Sequence, residues 1–526
     1  MFDPTKLAIS DKQQGLVISM AALATGLSAC YYLWSPSKNS ADDNTTGKNV
    51  YREVPTAGSS IPYFGHLFSL GEIPGRTVTK WNQELGPMIQ LNMGSQVWYV
   101  INDPMLAHEI FVTKGAVTSD RPIHTFFDYY THGGRGISFA NGSKTWKKSR
   151  TAALAVLAPQ RVNDLTDVSL YEADNLVEQL LERTALYGHV DPSTILQAAS
   201  LNVVLLTCFG KRVESVEDPL FKDIMNFVIP TVKHAGSEGS LSQFLPIFGL
   251  VDALVGKKRV FADFVSKVRD PLFARLIKDA LSGDKDCYVK RFEEYDLDET
   301  DLIVIMSDFL AAGSDTISVT ISWLFVILVS RPDIQQKLRN EVDAFVKVHK
   351  RLPTFEERNQ MPYLIAVQKE SLRFRSITYF GIPHRANKDI VVRDYLIPKD
   401  TVLVPNMIGM HMNEDIYDEP YVFNPDRFLG NTGTMFSSAN GNIAKRDQYN
   451  FGWGRRICPG IHLAEVEMFH MCTRIFANCV ITGSLDENGN EVLIDMDAAS
   501  NCGIVLTPSP YKARFIPRTD SPLRSL

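Results

Sequence analysis

Between Asp298 and Ser330 the chain runs for about 32 residues that are nearly all apolar: LIVIM, FLAAG, then ISVTISWLFVILV. Asp298 and Asp301 make a carboxylate capping pair at its start. Ser330-Arg331-Pro332 ends it, because the residue before a proline disfavours the helix. At 1.5 Å per residue this predicts a helix of roughly 48 Å. A helix apolar on every side has to be buried. With Asp308 and Asp315 inside it, the segment reads as the axis of a large folded body and not as a membrane span. Ala311-Ala312-Gly313-Ser314-Asp315-Thr316 interrupts the apolar run. Gly313 costs about 1 kcal/mol against alanine in a helix interior, so it needs a reason. Asp315 followed by Thr316 is a candidate proton relay. The competing reading is a helix–helix contact, with Thr316 bonded back to the previous turn.

The rest of the chain must cover that helix. Its 526 residues, 45% hydrophobic and 22% charged, exclude a disordered or fibrous protein. A net charge of −6 argues against a general nucleic-acid binder. Seven cysteines are too few for a disulfide scaffold and are odd in number, which favours a reduced compartment. Two β-rich runs flank Gly94-Ser95 between Ile89 and Asn102, a hairpin signal. Further β-rich patches lie at 390–404 and 491–516, and most of the chain from 143 onward has helical periodicity. The pattern predicts a mainly α fold: one large helical body with small sheets at its edges. Upstream, Gly15–Trp34 is twenty residues without charge or proline, long enough to span a bilayer, with Tyr31, Tyr32 and Trp34 at one end as interfacial anchors. A signal peptide would have a shorter apolar core. The chain therefore divides into residues 1–34 carrying the anchor, a polar tether at 35–54, and a catalytic domain at 55–526.

The strongest chemical signal is Phe451-Gly452-Trp453-Gly454-Arg455-Arg456-Ile457-Cys458-Pro459-Gly460. Cys458 precedes a helical run, Ile461–Val480, so its sulfur meets helix-start amides and the positive dipole end, which favour a thiolate. Zinc fits poorly: Cys472 and Cys479 lie 14 and 21 residues on, without a CxxC pair. An iron–sulfur cluster lacks its four ligands. A single thiolate fits haem, and Arg456 is able to pair a haem carboxylate. The other six cysteines are expected to pack as small apolar residues.

FGWGRRICPG resembles the haem-binding signature of the cytochrome P-450 superfamily, Phe-x-x-Gly-x-Arg-x-Cys-x-Gly, carried here by Phe451, Gly454, Arg456, Cys458 and Gly460. Glu370-Ser371-Leu372-Arg373 resembles the family's Glu-x-x-Arg, and Arg427 the arginine that joins it. Ala312–Thr316 resembles the oxygen-activation motif, and Trp146-x-x-x-Arg150 the helix whose Trp and Arg meet a haem propionate. Arg385, after Pro383 and His384, is a further propionate candidate. These motifs stand in family order over about residues 50 to 520. Two positions depart from the pattern: Ile317 follows Thr316, and Ser376 replaces a proline.

The resemblance implies the family fold and a monooxygenase holding haem b on Cys458. It would insert one oxygen atom from O2 into an apolar small molecule, with a steroid or xenobiotic favoured. Thr316 and Asp315 would serve proton delivery. No flavin or NADPH fingerprint is present; Gly133-Gly134-Arg135-Gly136 lacks the strand–helix context. Electrons would therefore come from NADPH through a separate NADPH–cytochrome P-450 reductase, with cytochrome b5 a second candidate donor. Lys144, Lys147 and Lys148 around Trp146 would form the docking patch. The expected location is the endoplasmic reticulum membrane, single-pass, with the catalytic domain cytosolic. Pocket walls are expected from the 119–139 loop (Phe126, Phe127, Tyr129, Tyr130), from Phe309, Ala312 and Thr316, from Thr378–Ile382 and from the Asn501–Val505 turn. Phe244–Leu250 would be a lid that either dips into a bilayer or packs as a hairpin. A haem-thiolate isomerase or dehydratase working without external electrons, and a non-catalytic haem carrier, are the alternatives.

Overall fold

A computed structural model describes residues 51–58, 60–236 and 241–525. The expected span at 15–34 and most of the tether lie outside the described residues. Six helices frame the site: α1 (Lys144–Val156), α2 (Thr166–Tyr187), α3 (Ser193–Phe209), α4 (Glu299–Val329), α5 (Pro362–Phe374) and α6 (Ile461–Asn478). Helix α4 is the predicted axis. Asp298 Oδ1 accepts from Asp301 N at 2.8 Å and Asp301 Oδ2 from Asp298 N at 3.3 Å, closing the capping box. The helix is long and apolar enough to cross a membrane, yet 78% of its most apolar window is buried inside the protein, as its two internal carboxylates require.

Helix α3 lies against α4, and their contact explains Gly313. A Cβ there would come within 2.5 Å of Val204 Cγ2, so only glycine admits this approach. Helix α1 starts where Ser143 Oγ accepts from Trp146 N at 3.0 Å, and α5 starts on Pro362, whose missing N–H is not needed in a first turn.

Ten strands occur among the described residues: β1 (Met88–Met93), β2 (Gln96–Ile101), β3 (His384–Arg385), β4 (Ile390–Val392), β5 (Tyr395–Ile397), β6 (Val402–Pro405), β7 (Cys479–Gly483), β8 (Ala499–Asn501), β9 (Leu506–Pro508) and β10 (Ala513–Pro517). The main sheet has the order β1-β2-β6-β3, with β2 and β6 parallel and the other pairs antiparallel. The expected hairpin at Gly94-Ser95 forms, with Met93 opposite Gln96. One boundary differs: α6 stops at Asn478, and Cys479–Gly483 pairs with β10 instead of continuing to Val480 as helix. Val480, Ile481 and Thr482 are β-branched, and Ile481 N finds Gln335 Oε1 at 3.0 Å, a partner far off in sequence. Trp323 Nε1 donates to Leu506 O at 2.9 Å, tying α4 to β9. The small sheets sit around the helical body as expected.

Candidate active site

Cys458 lies in the loop leading into α6. Gly454 has φ 52°, and a Cβ there would run into the carbonyl oxygen of Phe111. The loop closes where Cys458 N donates to Phe451 O at 2.7 Å. Cys458, Phe451 and Gly460 line a mostly apolar cavity with about 1020 Å³ of empty space, part of it open to solvent. Phe309, Ala312 and Thr316 of α4 line the same cavity. The structure thus brings the cysteine loop and the interrupted stretch of α4 to one space.

The thiol itself departs from expectation. Burial pushes its pKa up, and the Gly460 N–H and the Arg150 cation, which pull it down, do not prevail. A helix start facing an apolar cavity does not by itself sustain a thiolate; a bound metal cation would. Cys502 also departs: it is exposed, not packed.

Next to the cysteine loop lies a cluster of buried guanidinium groups. Arg456 donates from Nε to Ser119 O at 2.9 Å, from Nη1 to Ile137 O at 3.0 Å and from Nη2 to Ala140 O at 2.6 Å. Its guanidinium lies 4.1 Å from the Trp146 ring, whose Nε1 also donates to Ile137 O at 3.1 Å. Arg150 donates to Ile457 O. Arg121, which the sequence did not single out, donates to Ser138 O, Ile382 O and Pro383 O. Burial, then repulsion from Arg150, lowers Arg121 to about 9; burial, then Arg121 and Arg150, lowers Arg456 to about 8. Burial lowers Arg150 as well. Carbonyl oxygens accept from all three guanidiniums but do not cancel their charges, and Arg150 Nε is buried without a partner among the described residues. A dicarboxylate group bound alongside would offset two of those charges, and haem carries two carboxylates. Together with an apolar cavity and the Cys458 sulfur at its wall, the residues fit haem. Arg385 is placed differently: its Nη1 pairs Asp400 at 2.8 Å and its Nε donates to Arg121 O at 3.0 Å, so its charge is already matched.

Asp308 ties this cluster to α4. Its Oδ2 accepts from Ile137 N at 2.7 Å and Ser138 N at 3.1 Å, while Ile137 O serves Arg456 and Trp146. Burial raises Asp308 to about 6. Glu370, Arg373 and Arg427 assemble as the motif order suggested. Arg373 binds Glu370 through Nε at 2.7 Å and Nη2 at 2.8 Å, and Arg427 Nε lies 3.2 Å from the same carboxylate. Ser376 points away from the cavity, its Oγ 3.0 Å from His411 Nδ1.

Thr316 Oγ1 donates to Ala312 O at 2.9 Å, the back-bonded arrangement. Asp315 does not line the cavity; its Oδ1 accepts from Gln197 Nε2 at 3.0 Å, and burial raises its pKa. Adjacent helical residues point about 100° apart, which is why the two side chains diverge. Ile317 lines the cavity, whereas Ser318 Oγ turns back to Asp315 O at 2.8 Å. Glu467 was missed. It belongs to the stripe of Gly460, at the cap of α6, and Leu463, Ala464, Glu467 and Met468 within it that faces the cavity, and burial holds its carboxyl well above the usual range. The i, i+3, i+4, i+7 spacing was the available signal.

An outer cavity with about 780 Å³ of empty space, part of it open to solvent, is lined by Phe127, Phe244, Thr378–Gly381, Gly503 and Ile504; of the expected walls, Tyr129 and Ile382 do not line it. Phe126 and Tyr130 are instead core, 0% and 1% exposed. Thr378 lines both cavities.

The family model described as Cytochrome P450 matches residues 55–515. Among curated proteins, the chain is 26% identical over 514 residues to Cytochrome P450 monooxygenase 79 of Postia placenta, covering 89% of this chain and 90% of that protein. It is 28% identical to the Steroid 17-alpha-hydroxylase/17,20 lyase of Mesocricetus auratus, covering 84% and 87%. Cytochrome P450 monooxygenase yanC of Aspergillus niger is 26% identical, covering 89% and 90%.

Proposed function

The chain belongs to the cytochrome P450 family, a haem-thiolate monooxygenase, and we propose that Cys458 is the protein ligand to its iron and that the cavity beside Thr316 receives a lipophilic substrate. The observation that carries this reading is one apolar cavity holding the Cys458 sulfur and Thr316 in its wall. Haem, when bound, supplies dioxygen activation and transfer of one oxygen atom to an apolar C–H bond. The chain supplies orientation and protons. Arg121, Arg150, Arg456 and Trp146 would turn donors from backbone carbonyls to the two carboxylates. Arg385 is proposed to hold Arg121 in place. Phe451, Gly454 and Gly460 shape the loop around the sulfur.

Proton delivery is assigned to Thr316 Oγ1 at the cavity and to Asp315 behind it, with Gln197 holding the Asp315 carboxylate. Thr316→Ala should bind haem and substrate yet consume NADPH while releasing hydrogen peroxide. Product formation should fall roughly 100-fold, the lower end of what a positioned proton-transfer group contributes. Product and peroxide yields per NADPH are the measurement; unchanged coupling in Thr316→Ala and Asp315→Asn would remove both residues from the relay.

Electrons are proposed to come from NADPH through a separate reductase, which turnover dependent on NADPH, O2 and added reductase would establish. Turnover without any of them would mean an isomerase or dehydratase. Lys147 is exposed in α1, while Lys148 Nζ is 3.1 Å from Asp296, a surface pair of small worth. Lys147→Glu with Lys148→Glu should slow reductase-supported turnover, most at low salt, and spare peroxide-driven turnover. Equal loss in both assays would make the lysines structural.

The substrate class proposed is a steroid or xenobiotic, supported by the apolar cavities and by one relative named as a steroid hydroxylase. Location at the endoplasmic reticulum membrane is proposed on the uncharged 15–34 segment and on a surface patch. Phe244 and Leu245 are buried, with Phe244 O accepting from Ser95 N at 2.7 Å, so the start of the 244–250 run is packed. Leu250, Leu254 and Val255 are 69%, 72% and 59% exposed. A chain starting at Tyr51 should still sediment with lipid vesicles, and Leu250→Asp with Leu254→Asp should abolish that; no sedimentation of the shortened chain would confine membrane contact to the N-terminal segment.

A further inference from the structure

Asp308 is a carboxylate of the axis helix that lines neither cavity and is 4% exposed. Both of its amide donors, Ile137 N at 2.7 Å and Ser138 N at 3.1 Å, meet the same oxygen, Oδ2. Gly136 permits the approach. Its φ is 83°, and a Cβ there would lie 2.8 Å from that oxygen and 2.5 Å from Val304 Cγ1. Two amides on one oxygen need an acceptor and not a charge. The uncharged side chain of asparagine would serve them, and burying a carboxylate costs more than burying an amide. The charge therefore needs a use of its own.

Arg121 supplies one. It is 5% exposed and donates to three carbonyl oxygens. Ser138 joins the two side chains: its N–H goes to Asp308, and its carbonyl accepts Arg121 Nε at 2.8 Å. Of the charges acting on Arg121, Arg150 repels it and Asp308 attracts it. The other two guanidiniums of the cluster have different anions within reach, Asp120 for Arg456 and Cys458 for Arg150. Asp120 is also 3.9 Å from Arg385. The second cation acting on Asp308, Arg269, is already paired with Asp270 at 2.7 Å. Tyr130 beside it stays neutral, its phenol raised by burial and then by Asp308.

We propose that Asp308 is the counter-charge of Arg121 in the haem-carboxylate site, and that its charge lowers the reduction potential of the iron. This rests on the haem-thiolate reading and deepens it by naming a buried residue, outside both cavities, that sets how readily the iron takes its first electron. An anion buried among the groups that hold haem opposes the addition of negative charge, and burial keeps salt from screening it.

The test is a potentiometric titration of the haem-loaded full chain, in which ferric iron takes one electron from dithionite through mediator dyes. Asp308→Asn keeps an oxygen for both amides and removes the charge. At about pH 7.5 it should raise the ferrous-to-ferric ratio at a fixed applied potential about tenfold, a shift of about 59 mV for one electron. Coulomb's law at an effective dielectric constant of about 20 permits an effect of that size out to roughly 12 Å. Asp308→Glu keeps the charge and alters the geometry, and should stay within about twofold of wild type. Wild type gives a second reading without any substitution. Burial raises Asp308 to about 6, so it is ionised at about pH 7.5 and neutral at about pH 5. Its charge is lost on acidification, so the wild-type potential should rise, and by more than that of Asp308→Asn. The haem carboxylates titrate in both proteins, so the difference isolates Asp308. An Asp308→Asn ratio within about twofold of wild type overturns the proposal, as does an equal shift in Asp308→Glu, which would make the effect one of geometry. A wild-type potential that does not rise on acidification overturns it even where Asp308→Asn fails to hold haem. The carbon monoxide spectrum of each protein reports the haem-thiolate site separately. Without its red-shifted band in wild type that reading fails; with the band and no shift, only the role of Asp308 fails.

Discussion

Cys458→Ser is expected to abolish the red-shifted Soret band of the reduced carbon monoxide complex, because that band depends on a thiolate ligand and serine supplies none. The control is Cys208→Ser. Cys208 also lines the Cys458 cavity, so the cavity alone offers the iron two thiols. They differ in setting. Cys208 sits inside α3, and burial, with Cys287 beside it, holds its thiol far above the usual range. Cys458 has the Gly460 N–H and the Arg150 cation acting to lower its pKa, and it stands at a helix start. Cys208→Ser should therefore keep the band at wild-type intensity per haem. A band that survives in Cys458→Ser, or disappears in Cys208→Ser, would reassign the ligand.

What the sequence made legible was local. The axis helix is visible because its capping carboxylates, its apolar run and its terminal proline lie within one stretch of chain. The cysteine loop is visible for the same reason: its glycines, arginine and cysteine are contiguous. What stayed hidden depends on distant partners. Gly313 is explained by Val204, on another helix. Strand β7 reads as a continuation of α6 until β10 is beside it. Arg121 looks like an ordinary loop arginine, and only the fold sets it among Arg150 and Arg456. Asp308 reads as a flaw in an apolar helix, although it binds two amides of the loop that carries the acceptors for Arg456. The thiol showed the opposite limit. The helix-start argument named a real effect and omitted the larger one, burial.

Removing one partner from the Glu370–Arg373 pair is expected to have the largest effect on stability. Both side chains are 0% exposed, and Arg373 also donates from Nη1 to His411 O at 2.9 Å and Pro420 O at 2.8 Å. Asn424 N adds a bond to Glu370 at 2.8 Å. The pair thus holds α5 against the 411–424 segment, which leads on to the cysteine loop. Arg373→Leu leaves the Glu370 carboxylate buried with less than its full complement and should cost about 3–5 kcal/mol. That is a large share of a typical total of about 5–15 kcal/mol, so haem-containing soluble protein should largely disappear. Arg427→Ala should cost less, because Arg427 is more exposed and Arg373 would still neutralise the glutamate. Glu370→Leu combined with Arg373→Leu should recover part of the loss, since no unpaired charge remains. Urea unfolding midpoints of the single and double variants form a double-mutant cycle, with the pair's coupling as the shortfall from additivity. Single variants that unfold within about 1 kcal/mol of wild type would mean that the network is tolerated by the fold instead of holding it.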